Sequence, residues 1–458
     1  MGAWKDLLNT PSMGDKGSYL PLSSMTLPTS MQDRLGNWQG WQETLKARSV
    51  RLLLAVVTVL LLVLGFSSLS ATNSRLSADR WVPSWLSGND TSPYRYLEEA
   101  NIEPSFVLSN DGMYYPPEMN FMSLNKYKRA NAGFVSLVRN SELESFGDSM
   151  TQVEKAFNRK FGYPWYLFND QPFSEDFKAG VRLRTRAPVF FEQIPRDYWS
   201  YPAWVDQTRA ADERRKMGEA GIIYGDSEPY RHMCRFNSGF FYRMPAIQHL
   251  DYYWRVEPGI QIACDLDYDP FLFMERNNIT YGFTISIHEY RATIPTLWTT
   301  TQDFFREHPD YLAPDNSAHF IVDTASKSIL EQDYNNCHFW SNFEIADARF
   351  YRSKEYSDYF DYLDKTGNFF YERWGDAPVH SIAAALLLPK QRIHHFNDIA
   401  YYHGPWWHCP QRQGPPGKCW CDPKQSFDPD PYACMNEWWR VKPNADKYVN
   451  AQIRDAIT

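Results

Sequence analysis

Positive charge is in short supply in this 458-residue chain: 47 Lys and Arg stand against 55 Asp and Glu, a formal net charge of −8. That deficit removes the electrostatic footprint of a nucleic-acid-binding protein. Cysteine is scarce too, with seven residues in all and none before Cys234. None of them forms the paired C-x2-C knuckles of common zinc modules. No internal repeat is present, which excludes a solenoid or a propeller. Long apolar runs are missing with one exception, and that one begins too deep in the chain to be the core of a cleaved signal peptide.

The exception decides the topology. Residues 52–74 carry no charge, and Leu52 to Leu69 is mostly Leu and Val. About 20 such residues cross a bilayer as a helix. Lys46, Arg48 and Arg51 precede the run, and Arg75, Asp79 and Arg80 follow it. The excess of positive charge before the span places the N-terminus in the cytosol. A buried core helix is the plain alternative, but such helices rarely lack charge over this length. The expected layout is a type II membrane protein: a cytosolic tail over 1–51, a signal anchor over 52–71, a luminal stem over 72–125, one folded domain over 126–445 and a C-terminal tail over 446–458. Two sequons, at Asn89 and Asn278, fall on the luminal side as expected glycosylation sites. All seven cysteines fall there too, where disulfides persist. The last four read C-x9-C-x-C-x12-C from Cys409 to Cys434. Disulfides are the first reading and a zinc site the sharper alternative. An odd count leaves at least one free thiol.

What is abundant is aromatic side chain, 16% of residues with 17 Trp and 29 Tyr. A large aromatic core accounts for this; so do flat platforms for sugar rings beside that core. The domain itself reads as α/β. Val135 to Val138 is a short apolar strand. Ser141 and Glu144 make a capping box, and Leu143, Phe146, Met150, Val153 and Phe157 recur at helical steps. Pro164 to Phe168 and Pro188 to Phe191 read as further strands, so the alternation implies a layered sheet with parallel strands. Tyr281, Phe283, Ile285 and Ile287 alternate as a half-buried strand. Tyr356, Tyr359, Phe360 and Leu363 form a helical stripe that Gly367 stops, and Asp376 caps an apolar helix running to Leu388.

Four stretches carry chemistry. In Tyr253-Trp-Arg-Val-Glu-Pro-Gly259 and the acids from Asp265 to Asp269, an apolar strand ends abruptly in carboxylates. That is where open α/β sheets bind ligands, and a carboxylate there can hold a divalent ion on a diphosphate. From Ser227 to Tyr242, cations and hydroxyls interleave with aromatics; Tyr230, Arg231 and Arg235 suit phosphate oxygens, or else a cross-braced loop. From Tyr334 to Ile345, Glu344 sits among Trp340, Asn342 and other aromatic and amide groups, as in a site that holds a sugar and reacts with it. Last come His394, His395, His403 and His408, among which one metal ligand is expected.

Taken together, the strings YRHMCRFNSGFFY, YYWRVEP, CDLDYD, FWSNFEI and YERWGDAPVHS resemble the fungal α-1,2-mannosyltransferases, the type II Golgi enzymes of glycosyltransferase family 15. The resemblance spans about residues 103–440. It implies a GT-A-like, Rossmann-like nucleotide-sugar domain behind the anchor. It implies GDP-mannose as donor, Mn²⁺ as cofactor, and retaining transfer to the 2-hydroxyl of a terminal mannose on a glycan or glycoprotein. By position it implies Glu257 and His403 as metal ligands, Glu344 as nucleophile or electrostatic support, and Tyr230 beside the reacting centre. Arg139 and Arg255 match donor-binding positions, and Asp376 and Trp340 acceptor-contacting ones. One departure stands out: the family's Glu-Pro-Asp is Glu-Pro-Gly here, with Gly259 in place of the Asp. Two other readings stay open, a glycoside hydrolase built on Glu344 and a second carboxylate, and an inactive membrane-anchored glycan-binding paralogue.

Overall fold

The computed structural model describes residues 128–323, 328–410 and 419–442, together with two short strands, Val107–Leu108 and Tyr114–Tyr115, which pair antiparallel. The expected tail, anchor, C-terminal tail and the Asn89 sequon lie outside the described residues, as does the expected stem apart from that two-residue ladder. No helix among the described residues is long and apolar enough to cross a membrane. All of them belong to one unit, residues 91–458.

The chain starts as strand–helix–strand units. Strand β1 (Ala132–Leu137) leads to helix α1 (Leu143–Val153), then β2 (Trp165–Asn169), α2 (Glu175–Arg182) and β3 (Val189–Gln193). Helix α3 (Glu228–Gly239) precedes β4 (Tyr252–Arg255), and a turn leads to the short β5 (Gln261–Ile262). Next come α4 (Pro270–Arg276), β6 (Tyr281–Phe283), β7 (Ser286–His288), β8 (Cys337–Phe339) and β9 (Glu344–Asp347). Helices α5 (Lys354–Lys365) and α6 (Asp376–Leu387), strands β10 (Ile393–His395), β11 (Tyr401–His403) and β12 (Trp406–His408), and helix α7 (Met435–Val441) follow, and two further helices span Gln207–Glu219 and Leu297–Glu307.

Seven of these strands form the central sheet, in the order β10-β6-β9-β4-β1-β2-β3. The half from β4 to β3 is parallel, as the alternation predicted. The other half is mixed: β9 runs antiparallel to both β4 and β6. That reversal matters below. Both faces are covered, and side chains alternate between two aromatic cores: Tyr253 enters one, while Tyr252 and Trp254 enter the other. Period-two alternation on a doubly covered sheet produces this split. Most of the aromatic excess is therefore core, with Trp165, Trp254, Trp374 and Trp438 fully buried. The neighbouring strand comes close enough to require Gly133, where a Cβ would stand 2.9 Å from the Pro164 carbonyl oxygen and 2.6 Å from the Tyr166 ring.

Three local expectations change. Helix α1 is preceded by a 3-10 turn over Asn140–Glu142, so the capping contact forms two residues earlier, between Arg139 and Glu142. Glu142 accepts from the Arg139 backbone N–H at 2.7 Å, and Glu144 instead meets Arg184 at 3.3 Å. The run Tyr281 to Ile287 is two strands, β6 and β7, in different sheets. Tyr281 and Phe283 enter one core and Ile285 and Ile287 the other, and Thr284 and Ser286 are buried as well, so the strand is not half-exposed. Helix α6 has Gly375 as its cap residue, and the Asp376 side chain turns away to other partners. The stripe on α5 and the left-handed Gly367 (φ 74°) behind it are as expected.

Disulfides join Cys264 to Cys419, Cys337 to Cys434 and Cys409 to Cys421, and Cys234 is the buried free thiol. Two of the bridges tie the late cysteine cluster back to earlier chain, at Cys264 just after β5 and at Cys337 in β8, rather than to itself.

Candidate active site

The site gathers at the carboxyl edge of the parallel strands. Strand β4 ends at Arg255, and the chain turns through Glu257, Pro258 and Gly259 into β5. Strand β11 pairs with β5, with Tyr402 opposite Gln261, and this carries His403 back over Glu257. Their reacting atoms, His403 Nε2 and Glu257 Oε2, lie 3.7 Å apart, with each side chain about a quarter exposed. Two donors roughly 2.1 Å from one shared ion stand about 3.0–3.4 Å apart, so a small closure suffices. A carboxylate and an imidazole form a mixed donor set compatible with several divalent ions. The buried Nδ1 of His403 has no hydrogen-bond partner. Of the four late histidines, His403 alone lines the cleft. His408 bonds Asp428 at 2.8 Å, His395 bonds the Thr284 carbonyl at 2.9 Å, and the His394 ring packs 4.9 Å from Phe273.

Arg255 links this pair to the start of α6. Its guanidinium donates to Glu257 and to Asp376, and Ser341 Oγ donates to the same Asp376 oxygen at 2.8 Å. Burial alone would raise the Asp376 carboxyl, but the Arg255 and His380 charges and the Arg255 and Ser341 hydrogen bonds hold it below the usual carboxylate range. The helix N-terminus favours the same anionic form.

Because β9 is antiparallel, its first residue, Glu344, stands in register with Arg255. The side chain is fully buried. Tyr253 Oη donates to Oε1; Tyr281 Oη donates to Oε2 at 2.7 Å, and His380 Nδ1 lies 2.8 Å from the same oxygen. His380 Nε2 faces the Asn237 carbonyl at 2.9 Å. Both ring nitrogens thus face oxygen acceptors. Burial would raise Glu344, but the charge and hydrogen bond of His380, then Arg255 and Tyr253, outweigh it and lower the carboxyl.

Six of the predicted residues, Tyr230, Arg255, Glu257, Trp340, Asp376 and His403, line one cleft of about 400 Å³. Trp340 stands edge-on to His403, with ring centroids 5.2 Å apart. Tyr230 stacks on Tyr224 at 4.5 Å, and the Arg373 guanidinium lies 5.1 Å over its ring. Glu344 is not in this cleft; it lies behind Arg255 in a much smaller cavity lined by Tyr253, His380 and Asn237. Arg139 lies elsewhere, in a second cavity of about 340 Å³ with Asp170, Trp199 and Glu228. The two larger cavities flank the first turn of α3. Arg231 and Arg235 line neither of the two larger cavities. Arg231 donates to the Glu372 and Ser227 carbonyls at 2.9 and 3.0 Å, and Arg235 makes a fork with Asp364 at 2.7 and 2.8 Å. The bracing alternative holds for both, on a helix rather than a loop. In the acid run, Asp269 is consumed as the cap of α4. Asn278 is exposed just after α4, as a glycosylation site requires.

Sequence reasoning missed the three groups that hold Glu344. Tyr253 and Tyr281 look like ordinary strand aromatics. His380 carried a signal, a single imidazole inside the apolar run of α6.

Comparison with known proteins places this geometry. The family model described as glycolipid 2-alpha-mannosyltransferase matches residues 91–443. The chain belongs to that family. It is 52% identical over 316 residues to glycolipid 2-alpha-mannosyltransferase 2 of Candida albicans, covering 69% of this chain and 68% of that one. Identity to alpha-1,2 mannosyltransferase KTR1 of Saccharomyces cerevisiae is 49% over 341 residues, 74% and 85% of the two chains. Among solved structures, the Mn/GDP form of core-mannan synthase A (CmsA/Ktr4) from Aspergillus fumigatus superposes with a TM-score of 0.65 at 38% identity, covering 74% of this chain and 98% of that one. Ktr4p of S. cerevisiae in complex with GDP gives a TM-score of 0.66 at 37% identity, over 75% and 86%. Membership in the mannosyltransferase family fits the mixed α/β fold, and the hydrolase and inactive-paralogue readings are not favoured.

Proposed function

We propose that this protein moves mannose from GDP-mannose to the 2-hydroxyl of a terminal mannose on a glycan or glycoprotein, retaining the α configuration. The observation that carries the reading is the Glu257–His403 pair, 3.7 Å apart at the carboxyl edge of the parallel strands. These two residues would hold a divalent ion, for which Mn²⁺ is the candidate. When bound there, it supplies positive charge to the leaving diphosphate. Arg255 keeps Glu257 in place and carries further positive charge to the donor side. Arg139, at the end of β1, belongs to the donor half through the neighbouring cavity. Trp340 and Asp376 face the acceptor, and Tyr230 lines the wall between the two.

Of the two roles expected for Glu344, its burial supports the electrostatic one. A carboxylate already accepting three hydrogen bonds and sealed behind Arg255 is poorly placed to attack a sugar. It is well placed as a fixed negative charge beneath the reacting carbon, where positive charge develops. The setting is the Golgi lumen, with residues 52–71 as the anchor and Asn89 and Asn278 as glycosylated positions.

One assay tests this. The full chain, purified in mild detergent, is given GDP-mannose and α-mannobiose with and without Mn²⁺. Metal-dependent formation of a trisaccharide is expected. Release of mannose from mannobiose without nucleotide would overturn the reading in favour of a hydrolase, and GDP binding without turnover in favour of an inactive paralogue.

A further inference from the structure

The cleft of about 400 Å³ extends well beyond the metal pair. Trp340, against His403, marks one end. The floor then follows β8 backwards: His338 is two residues from Trp340, and the Glu289 N–H bonds the carbonyl of Asn336, two residues further, at 2.8 Å. The Glu289 carboxylate closes this end beside Gly375, the residue before Asp376, where a Cβ would stand 3.4 Å from Oε2.

That far end has the chemistry of a sugar site. Glu289 and Arg373 pair at 3.4 Å, and both line the cleft. Nε of Arg373 and Nδ1 of His338 are buried without a hydrogen-bond partner, in side chains only 2% and 4% exposed. A buried polar atom left unpaired costs about 1–3 kcal/mol, so two in one cleft point to a ligand that satisfies them. Over them stand Tyr290, 54% exposed, and Tyr432, with ring centroids 6.4 Å apart. Polar groups below an exposed aromatic suit a pyranose, whose C–H face packs on a ring while its hydroxyls meet the polar groups. Glu289 and Arg373 offset each other's charge, so this end offers no net positive charge to an anionic diphosphate, and the donor is the wrong occupant.

We propose that this end of the cleft is a second acceptor subsite, which binds the penultimate hexose of an α-mannoside oligosaccharide. Glu289, Arg373 and His338 meet its hydroxyls, and Tyr290 packs on its ring. Burial lowers the His338 imidazole and keeps it neutral, able to donate or accept. The assignment rests on the mannosyl transfer proposed above and adds to it a preference for chains over single sugars.

The test compares two acceptors, methyl α-mannoside and α-mannobiose, at saturating GDP-mannose with the full chain. Unaltered protein should prefer the disaccharide in kcat/KM. Tyr290→Ala and Glu289→Gln should each reduce that preference on the order of tenfold, mostly through KM for the disaccharide. Equal kcat/KM for the two acceptors in the unaltered protein, or equal losses on both acceptors in Tyr290→Ala, would overturn the subsite. Tyr290 is exposed, so its variant reports even if Glu289→Gln disturbs the Arg373 pair. Absence of transfer to either acceptor would instead overturn the mannosyltransferase reading itself.

Discussion

Two glutamates stand near one arginine, and their settings are opposite. Glu257 is on the turn after β4, a quarter exposed, and its partners are Arg255 and a loosely placed His403. Glu344 starts β9, is fully buried, and is held by two tyrosines and a histidine. The first carboxylate can exchange a side-chain partner for an ion without disturbing the core. The second cannot change partners without leaving a buried donor unsatisfied. One sheet edge thus combines an adaptable ligand with a permanent charge, and antiparallel β9 is what brings them together.

Glu344→Gln breaks the permanent half. It keeps the volume and removes the charge, so GDP binding should persist while transfer falls on the order of 10²–10³-fold. The amide turns a donor toward the Tyr281, Tyr253 or His380 donors and leaves a buried group unsatisfied, at a stability cost of about 1–3 kcal/mol in a denaturant melt. Unchanged transfer would sink the electrostatic role. Glu257→Ala breaks the adaptable half. Mn²⁺-dependent GDP binding, followed by calorimetry, should weaken about 100-fold, with a melt close to that of the unaltered protein because the side chain is partly in water. An unaltered Mn²⁺ titration would remove Glu257 from the ligand set.

Acid titration separates the two settings further. Glu344 and Asp376 have lowered carboxyls, so each contributes stability above the ordinary carboxylate range that is lost as pH falls through the folded value. Asp269, the buried cap of α4, is raised by burial to about 6. Its native state holds the proton longer, so its contribution has the opposite sign: stability falls as pH rises through the window from about 4 to 6. Thermal melts should therefore show a stability maximum on the acid side, followed by steep loss below about pH 4. Asp269→Asn should reduce the rise and leave the loss, since Glu154 and Asp398 are raised by burial too.

Much of this contrast was legible in the sequence, and unevenly. The parallel strands β1 to β3 are short apolar runs with caps and breakers between them, so local pattern sufficed. Glu257 stood out locally as a carboxylate after a strand, but His403 was one of four late histidines until the family resemblance singled it out, and only the pairing of β11 with β5 brings the two together. The rest depends on tertiary pairing. Nothing local reveals that β9 reverses direction, that Tyr281 and Ile285 enter opposite cores, or that Arg231 and Arg235 spend their donors on carbonyls and Asp364. Arg139 follows β1 as predicted, yet its cavity lies on the other side of the α3 first turn.

The smallest expected effect bears on the departure at Gly259. Its backbone has φ +84°, and a Cβ there would meet nothing within 4 Å. Space therefore does not select glycine, whereas the left-handed backbone does. Gly259→Asp should cost about 1 kcal/mol in stability from backbone strain, since Asp tolerates that region better than most residues. The new carboxylate would stand two residues from Glu257, on the solvent side of the adaptable half. If it reaches the ion directly or through water, Mn²⁺ affinity should rise a few-fold, on the order of 1 kcal/mol or less, because an exposed charge is well screened. A gain with unchanged acceptor kinetics would confirm that glycine weakens the metal half alone. A loss of transfer would mean that the turn after β4 positions Arg255 as well, and that the exchangeable and permanent carboxylates are less independent than their settings indicate.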